Sequence, residues 1–390
     1  MSMEVSIDWS SLLPDLLSEI AIRIHCADDF MAFRGVCTSW RAVATKDKFV
    51  PSWPPIVPLL MLPGHENANH EREFYSISQR STSLRLSLPE AKGKRCIGVR
   101  FGWVLTIANS GEITLLNPFS RECMILPRLK RFPKYKGYRT DPFCFFIKQA
   151  VLSHNPSNGS DFTLMTIAYG SRFLAFWRPG NPEWTRIPRS TRCTFRHVNY
   201  YKGKFYAITA QGAIMAWNDD DQSSLPKFAV GIFSIADESS WIHKQVYLVK
   251  SSSGELRVVL RVEDGHEDGS DDYLPIKYYY TTRFKVYHLD IVQHEWKEIS
   301  SLGGDAVFIG SNAAISISMA EAELSGIQSN CIYFTDDFLE ACEPEARMRG
   351  KDMGIYNVED GNVERFHGIE GDSVTSLICP SFWISQGDKD

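Results

Sequence analysis

Basic residues are in the minority in this chain. The 42 basic residues are outnumbered by 47 acidic ones, giving a formal net charge of -5 over 390 residues. No Lys/Arg stripe follows one face of a predicted helix, and nucleic acids and anionic membranes both need clustered cations. Neither is therefore expected as a partner. A long hydrophobic run is also missing: the densest apolar stretch, Pro55–Leu62, is too short for a bilayer and is broken by proline. Met1–Trp9 holds Glu4 and Asp8 and no basic residue, so no secretory signal is read there. Cysteine pairs are absent too. The nine cysteines (Cys26, Cys37, Cys96, Cys123, Cys144, Cys193, Cys331, Cys342 and Cys379) include no Cys-x-x-Cys. An odd, unpatterned set without a signal peptide points to reduced thiols in the cytoplasm or nucleus.

The usual signatures of catalysis are missing as well. There is no Gly-x-x-x-x-Gly-Lys phosphate loop and no Gly-x-Gly-x-x-Gly between a strand and a helix. His-Glu-x-x-His and Gly-x-Ser-x-Gly are not found. His65 and His70 stand in a polar, proline-rich stretch, where two imidazoles are expected to be solvated rather than ligating. No metal, no cofactor and no catalytic residue is expected.

What is present falls into two unlike regions, a multidomain α+β chain. In the first, residues 8–48, Leu13, Leu16, Leu17, Ile20 and Ile24 recur at spacings of three and four, the period of a helix with an apolar stripe. Pro14 fits the first turn, and Asp15 suits the positive end of the helix dipole. Asp28 and Asp29 offer caps for a second helix carrying Phe30, Met31, Phe33 and Val36. Thr38 or Ser39 starts a third with Trp40, Val43 and Ala44. Residues 49–73 hold Pro51, Pro54, Pro55, Pro58 and Pro63 and read as an extended, partly packed linker.

From 74 to 385 the pattern changes to short apolar runs separated by turns. Hairpins are expected at 101–117 around Asn109–Gly111, at 202–218 around Gln211-Gly212 and at 246–262 around Ser253-Gly254. Two more are expected at 284–299 and at 355–366, the latter turning at Asp360-Gly361. Short closing strands recur at 121–127, 182–188 and 294–300, and in the last two a Trp precedes an Ile by three residues. Imperfect all-β repetition at this spacing predicts a β-propeller of about six blades, with five or seven, or a twin-sheet sandwich, as rivals. The blades are placed at 96–127, 147–188, 194–236, 245–299 and 306–366. A last sheet joins a strand within Val374–Ile384 to strands near 74–88 and closes the ring. Trp184, Trp217 and Trp296 are expected to pack between blades. The acidic tract Glu263–Asp272 is expected as an exposed loop.

Leu12–Ala44 resembles the F-box. The family's Leu-Pro start, leucines and Ile, and its Val-Cys-x-x-Trp-Arg ending are matched by Leu13-Pro14, Leu16-Leu17, Ile20, Val36-Cys37 and Trp40-Arg41. The remainder is similar to the uncharacterised β-rich domain of plant F-box proteins, loosely related to kelch-type adaptors. The pieces are Gly102-Trp103-Val104, the run Leu116–Ser120, Tyr201–Tyr206 and Asn330–Phe334. This resemblance implies a small three-helix F-box followed by an all-β propeller, acting as the non-catalytic substrate adaptor of an SCF-type ubiquitin ligase. Its implied partners are a Skp-type adaptor, through it cullin and RING subunits, and an unknown protein target. Leu13, Pro14, Leu17, Ile20, Val36 and Trp40 are the positions implied to contact or support the Skp-type adaptor.

A helical segment of this size has too little core to stand alone, so part of its stripe packs inward and part needs another surface. Without the two end signatures, the same stripe reads as plain core. The competing functional class is a propeller enzyme or small-ligand-binding protein whose helical head only packs.

Overall fold

The computed structural model describes residues 9, 12–21, 33–44, 57–63, 70–129, 146–168, 173–187, 194–219, 229–231, 245–266, 278–293, 295–337, 352–366 and 380–385. The chain divides into two compact units, Met1–Ile56 and Val57–Asp390. In the first, α1 (Pro14–Ala21) opens on its proline, and the Leu17 N–H donates to Leu13 O at 3.0 Å. Residues 33–36 are helical (α2), and α3 (Thr38–Val43) follows Cys37, which offers no side-chain cap. The expected caps Asp28 and Asp29 lie outside the described residues.

The second unit is six sheets in a ring. It begins with β1 (Leu59–Met61), β2 (Glu71–Ser76) and β3 (Ser81–Ser87). Blade one follows as β4 (Arg95–Gly98), β5 (Val104–Ile107), β6 (Ile113–Leu116) and β7 (Cys123–Leu126), and blade two as β8 (Ile147–Leu152), β9 (Leu164–Ala168), β10 (Phe173–Trp177) and β11 (Thr185–Arg186). Blade three is β12 (Phe195–Tyr201), β13 (Lys204–Thr209), β14 (Ile214–Asn218) and β15 (Ala229–Gly231), and blade four is β16 (Val246–Lys250), β17 (Leu256–His266), β18 (Tyr278–Asp290) and β19 (Glu295–Ile299). Blade five holds β20 (Ala306–Ile309), β21 (Ile315–Ile317), helix α4 (Met319–Leu324), β22 (Cys331–Phe334), β23 (Gly354–Asn357) and β24 (Val363–Arg365). β25 (Phe382–Ile384) returns to β1, so the sixth sheet runs β25-β1-β2-β3.

The sequence-derived boundaries agree with these sheets because each hairpin carries its own local turn chemistry. In blade one, for example, the turn residue Gly111 has φ 85°, a conformation that costs glycine nothing. Two expectations change. The segment 49–73 was expected as linker, yet β1 lies inside it and β2 begins in it. Ring closure was expected to pair a C-terminal strand with strands near 74–88; instead β1 stands between them, with Leu59 opposite Ile384 and Leu60 opposite both Trp383 and Tyr75. The proline density of the segment hid a strand of three residues, too short to show a period.

The core sits between blades. Ile97, Leu105 and Leu115 of blade one meet Ala150, Leu164 and Phe173 of blade two. Ile167 and Leu174 meet Val198, Phe205 and Trp217; Ile208 and Ile214 meet Leu248 and Val258; Val249 and Val286 meet Val307, Ile332 and Phe334. Inner strands such as β5 and β6 are buried at every residue, whereas β11 is exposed throughout. A small sheet is marginal alone, and burying each such side chain contributes about 1.5–3 kcal/mol, so it is stacking that stabilises the blades. The three tryptophans do pack between blades. Trp184 donates its indole N–H to Pro127 O at 2.7 Å across the first interface. Trp217 lies in the second, and Trp296 meets Tyr287 edge-on at 6.1 Å beside the third.

Candidate partner-binding surface and central channel

In the helical unit, Leu17, Ala21, Phe33 and Ala44 are buried together, with Leu12, Trp40 and Val43 packed around them. The Phe33 and Trp40 rings lie 4.4 Å apart, and the Trp40 indole N–H donates to Trp9 O at 3.0 Å. Arg41 donates from Nε to Arg34 O at 3.1 Å, tying α3 to the helical turn before it. The opposite face of α1 is apolar and exposed: Leu13 is 66% accessible, Leu16 52% and Ile20 40%, with Val36 at 57%. Spacings of three and four place Leu13, Leu16 and Ile20 on one stripe and Leu17 and Ala21 on another. The stripe thus faces two ways. Of the six positions singled out, Leu13, Pro14, Ile20 and Val36 are exposed, Leu17 is core, and Trp40 is half-buried. Leu16, exposed on the same stripe, was not singled out, although its spacing of three from Leu13 and four from Ile20 was already visible.

In the propeller the innermost strands of neighbouring blades are tied side chain to backbone. The Gln149 carboxamide accepts from Val198 N–H at 2.9 Å and donates to Val198 O at 3.2 Å. Asn199 donates to Leu248 O at 2.9 Å, and Leu248 N–H donates to His197 Nδ1 at 3.2 Å. His197 is fully buried; that desolvation, with Lys148 nearby, lowers its pKa to about 3.

Blade five departs from the others. β20 runs parallel to β22 and carries on its inner side an extra strand, β21, antiparallel to it. The connection between β20 and β21 crosses the channel: Ala313 N–H donates to Gly98 O of blade one at 3.0 Å, and Ala313 packs with Val151 and Val198 of blades two and three. Above this plug is a recess lined by Lys148, Gln149, Arg196, His197, Gln245 and Tyr247, with Gly310, Ser311 and Asp337 completing it.

Beside the recess, Arg261 joins blade four to blade five and uses all five of its N–H donors. Nε donates to Thr281 Oγ1 at 2.6 Å, Nη1 to Thr335 O at 2.9 Å and Asp337 Oδ1 at 3.2 Å, and Nη2 to Asp352 Oδ2 at 2.7 Å and Asp352 O at 3.0 Å. Burial pushes the Asp352 carboxyl up, but Arg261, Thr281 and Arg365 bring it below the usual range. Asp337 stays above that range because burial outweighs Arg261. Glu263, 3.4 Å from Arg261, is raised to about 7 by burial. This residue corrects the expectation of an exposed acidic loop: β17 extends through His266, pairing with β18, and only 267–272 lie outside the described residues. None of this network was legible beforehand.

The two shifted groups act oppositely on stability. His197, lowered from 6.5, stabilises above pH 6.5, and that contribution is lost as pH falls toward 3. Glu263, raised from 4.5, contributes below pH 4.5 and loses it as pH rises through 7. Glu263→Gln should therefore gain on the wild type by up to about 1.4 kcal/mol per pH unit between those limits. Urea titrations at pH 5 and pH 8 check this, and parallel pH curves for the two proteins would refute it.

Fold and surface together define a β-propeller protein with a short helical head that presents an apolar face. The family model described as the KIB1-4 beta-propeller matches residues 74–357, most of the chain, and the chain belongs to that family. A putative F-box protein of Arabidopsis thaliana is 23% identical over 387 residues, covering 98% of each chain. The F-box protein SKIP23 of the same plant is 23% identical over 391 residues, covering 92% of this chain and 91% of its own. The first alignment, at 98% of the chain, takes in the helical head as well as the propeller.

Proposed function

We propose that this chain is the substrate-recognition adaptor of a cullin-type ubiquitin ligase. The helical head is the F-box and docks a Skp-type adaptor, which connects it to the cullin and RING subunits. The propeller holds a protein target, and ubiquitin transfer is done by the other subunits, in the cytoplasm or nucleus. One observation carries this reading: Leu13, Leu16, Ile20 and Val36 are exposed on a head whose Leu13-Pro14 and Val36-Cys37-x-x-Trp40-Arg41 pattern is that of the F-box. Supporting it, relatives that align over nearly the whole chain carry the F-box name.

The full chain should co-elute with a recombinant Skp-type adaptor. Leu16→Ala combined with Ile20→Ala should weaken that complex on the order of tenfold, since each truncation removes part of an apolar contact. Melting should hardly change, because both side chains are exposed. Leu17→Ala is the contrast: it leaves a cavity in the head and should cost about 2–5 kcal/mol of its stability. A wild-type chain that binds no Skp-type adaptor would end this reading.

A further inference from the structure

Around Arg261 three carboxylates share one guanidinium. Asp352 and Asp337 accept from its Nη atoms, and Glu263 Oε1 stands 3.4 Å from its Nε. That Nε is turned instead to Thr281 Oγ1 at 2.6 Å. Glu263 Oε1 has no hydrogen-bond partner, although the side chain is only 14% exposed. The groups that face Glu263 come from several elements. Arg261 on β17 favours its charge, while Asp336 and Asp337 after β22 and Asp352 before β23 oppose it. Arg365 on β24 is engaged with Asp352 and with Thr281 O at 2.9 Å. The Tyr247 hydroxyl on β16 donates to Asp337 at 2.9 and 3.0 Å, and Lys148 on β8 acts on Asp337 as well. A further negative charge on a guanidinium already held by two aspartates is costly in a buried site.

Glu263 also stands where the sheet changes. β17 and β18 run to 11 and 13 residues, whereas the other strands have seven or fewer. Their register shifts between Val262 and Glu263, the mark of a bulge, which locally disrupts the ladder. Beyond the shift the hairpin continues as the pairs Glu263–Thr281, Asp264–Tyr280, Gly265–Tyr279 and His266–Tyr278. The base of this extension is fastened by the same cluster: Thr281 gives its N–H to Asp352 at 2.9 Å and its hydroxyl at 2.6 Å. Opening the extension at the bulge would free Glu263 to reach water without disturbing the four-stranded blade beneath it.

We propose that Glu263 is a proton-controlled latch on the β17–β18 extension, closed on the Arg261 cluster when its carboxyl is protonated and opened at the bulge when it is ionised. Each opening releases one proton to solvent. The device goes beyond the pH dependence of unfolding, because the ring stays intact and only 263–266 and 278–281 part. Its range follows from burial, which raises the closed carboxyl from 4.5 to about 7. A group raised in the closed state favours closure at low pH and loses that contribution as pH rises through 7. The latch lies next to the channel recess, since Asp337 belongs to both.

Amide hydrogen exchange of the full chain provides the test, read at 263–266 and 278–281 and corrected for the intrinsic rate at each pH. Protection there should fall about tenfold between pH 6 and pH 8, while amides of inner strands such as β5 and β13 keep theirs. Glu263→Gln has nearly the same shape and cannot ionise, so its protection should stay level over the same range. Should that variant misfold, the wild-type profile still decides, because a latch confines the fall to the extension. Equal wild-type protection at pH 6 and pH 8, a fall of the same size in every blade, or an equal fall in folded Glu263→Gln would overturn the proposal.

Discussion

Arg261→Met should destabilise the propeller by about 3–5 kcal/mol, the cost of removing one partner from a buried ion network. Methionine fills much of the same volume, so packing loss is a minor part of the effect. The larger part is electrostatic. Asp352 keeps Arg365 and the Thr281 N–H at 2.9 Å, but Asp337 loses its Arg261 donor at 3.2 Å and keeps the Tyr247 hydroxyl, and Thr335 O loses its 2.9 Å donor. Asp337 and Asp352 are 7% and 2% exposed, and Arg261 1%, so water does not replace what is lost. The contrast is Arg261→Met with Asp337→Asn and Asp352→Asn, which removes the charges together and should recover much of the loss. Urea unfolding at pH 7 measures both. A single Arg261→Met variant within 1 kcal/mol of wild type, in the range of an ordinary surface change, would show that the network contributes little.

The plug gives the second large effect. Gly310 has φ 152°, and a Cβ built on it would lie 1.8 Å from Thr335 Oγ1 and 3.1 Å from Thr335 Cβ. Thr335 is fully buried and its branched side chain has few rotamers to retreat into. Gly310→Ala therefore combines overpacking of about 1–3 kcal/mol with backbone strain of about 1–3 kcal/mol. The expected loss is about 2–6 kcal/mol by thermal or urea unfolding. Pairing it with Thr335→Ala removes the oxygen at 1.8 Å and should restore the steric share only, leaving the strain. Full tolerance of Gly310→Ala would mean that the plug shifts readily. Gly98, on the opposite side of the same contact, is constrained likewise: a Cβ there would stand 2.7 Å from Phe382 Cδ2 and 2.9 Å from both Asn312 Cβ and Trp383 O.

The head shows both the strength and the limit of a helical period. Spacings of three and four identified a stripe containing Leu13, Leu16, Leu17 and Ile20, but a stripe more than two residues wide does not say which members turn inward. Packing against Phe33 and Ala44 took Leu17 and Ala21 for the core and left the others exposed. In the propeller, turn chemistry and alternating short runs were legible at nearly every hairpin, because a hairpin is stabilised by residues close in sequence. The tryptophans at 184 and 296 recur three residues before an Ile in a closing strand, and Trp217 ends a hairpin, which marked all three for blade interfaces. Glu263 misled for the converse reason: its acidic neighbours look like a solvated loop, and only Arg261 beside it shows why a carboxyl is buried there.

The sequence by itself determined what is local: a helical head with F-box spacing, hairpin positions and a count of about six blades. Only the tertiary structure decided how the ring closes through β1, how the β20–β21 connection plugs the channel, and how Arg261 meets its carboxylates. Those features join residues far apart in the chain: Arg261 and Asp352 stand 91 positions apart. Nothing near Arg261 in the sequence marks Asp352 as its partner. Each side chain is ordinary alone, and its role arises from the low-dielectric, water-poor space that the stacked blades create around it.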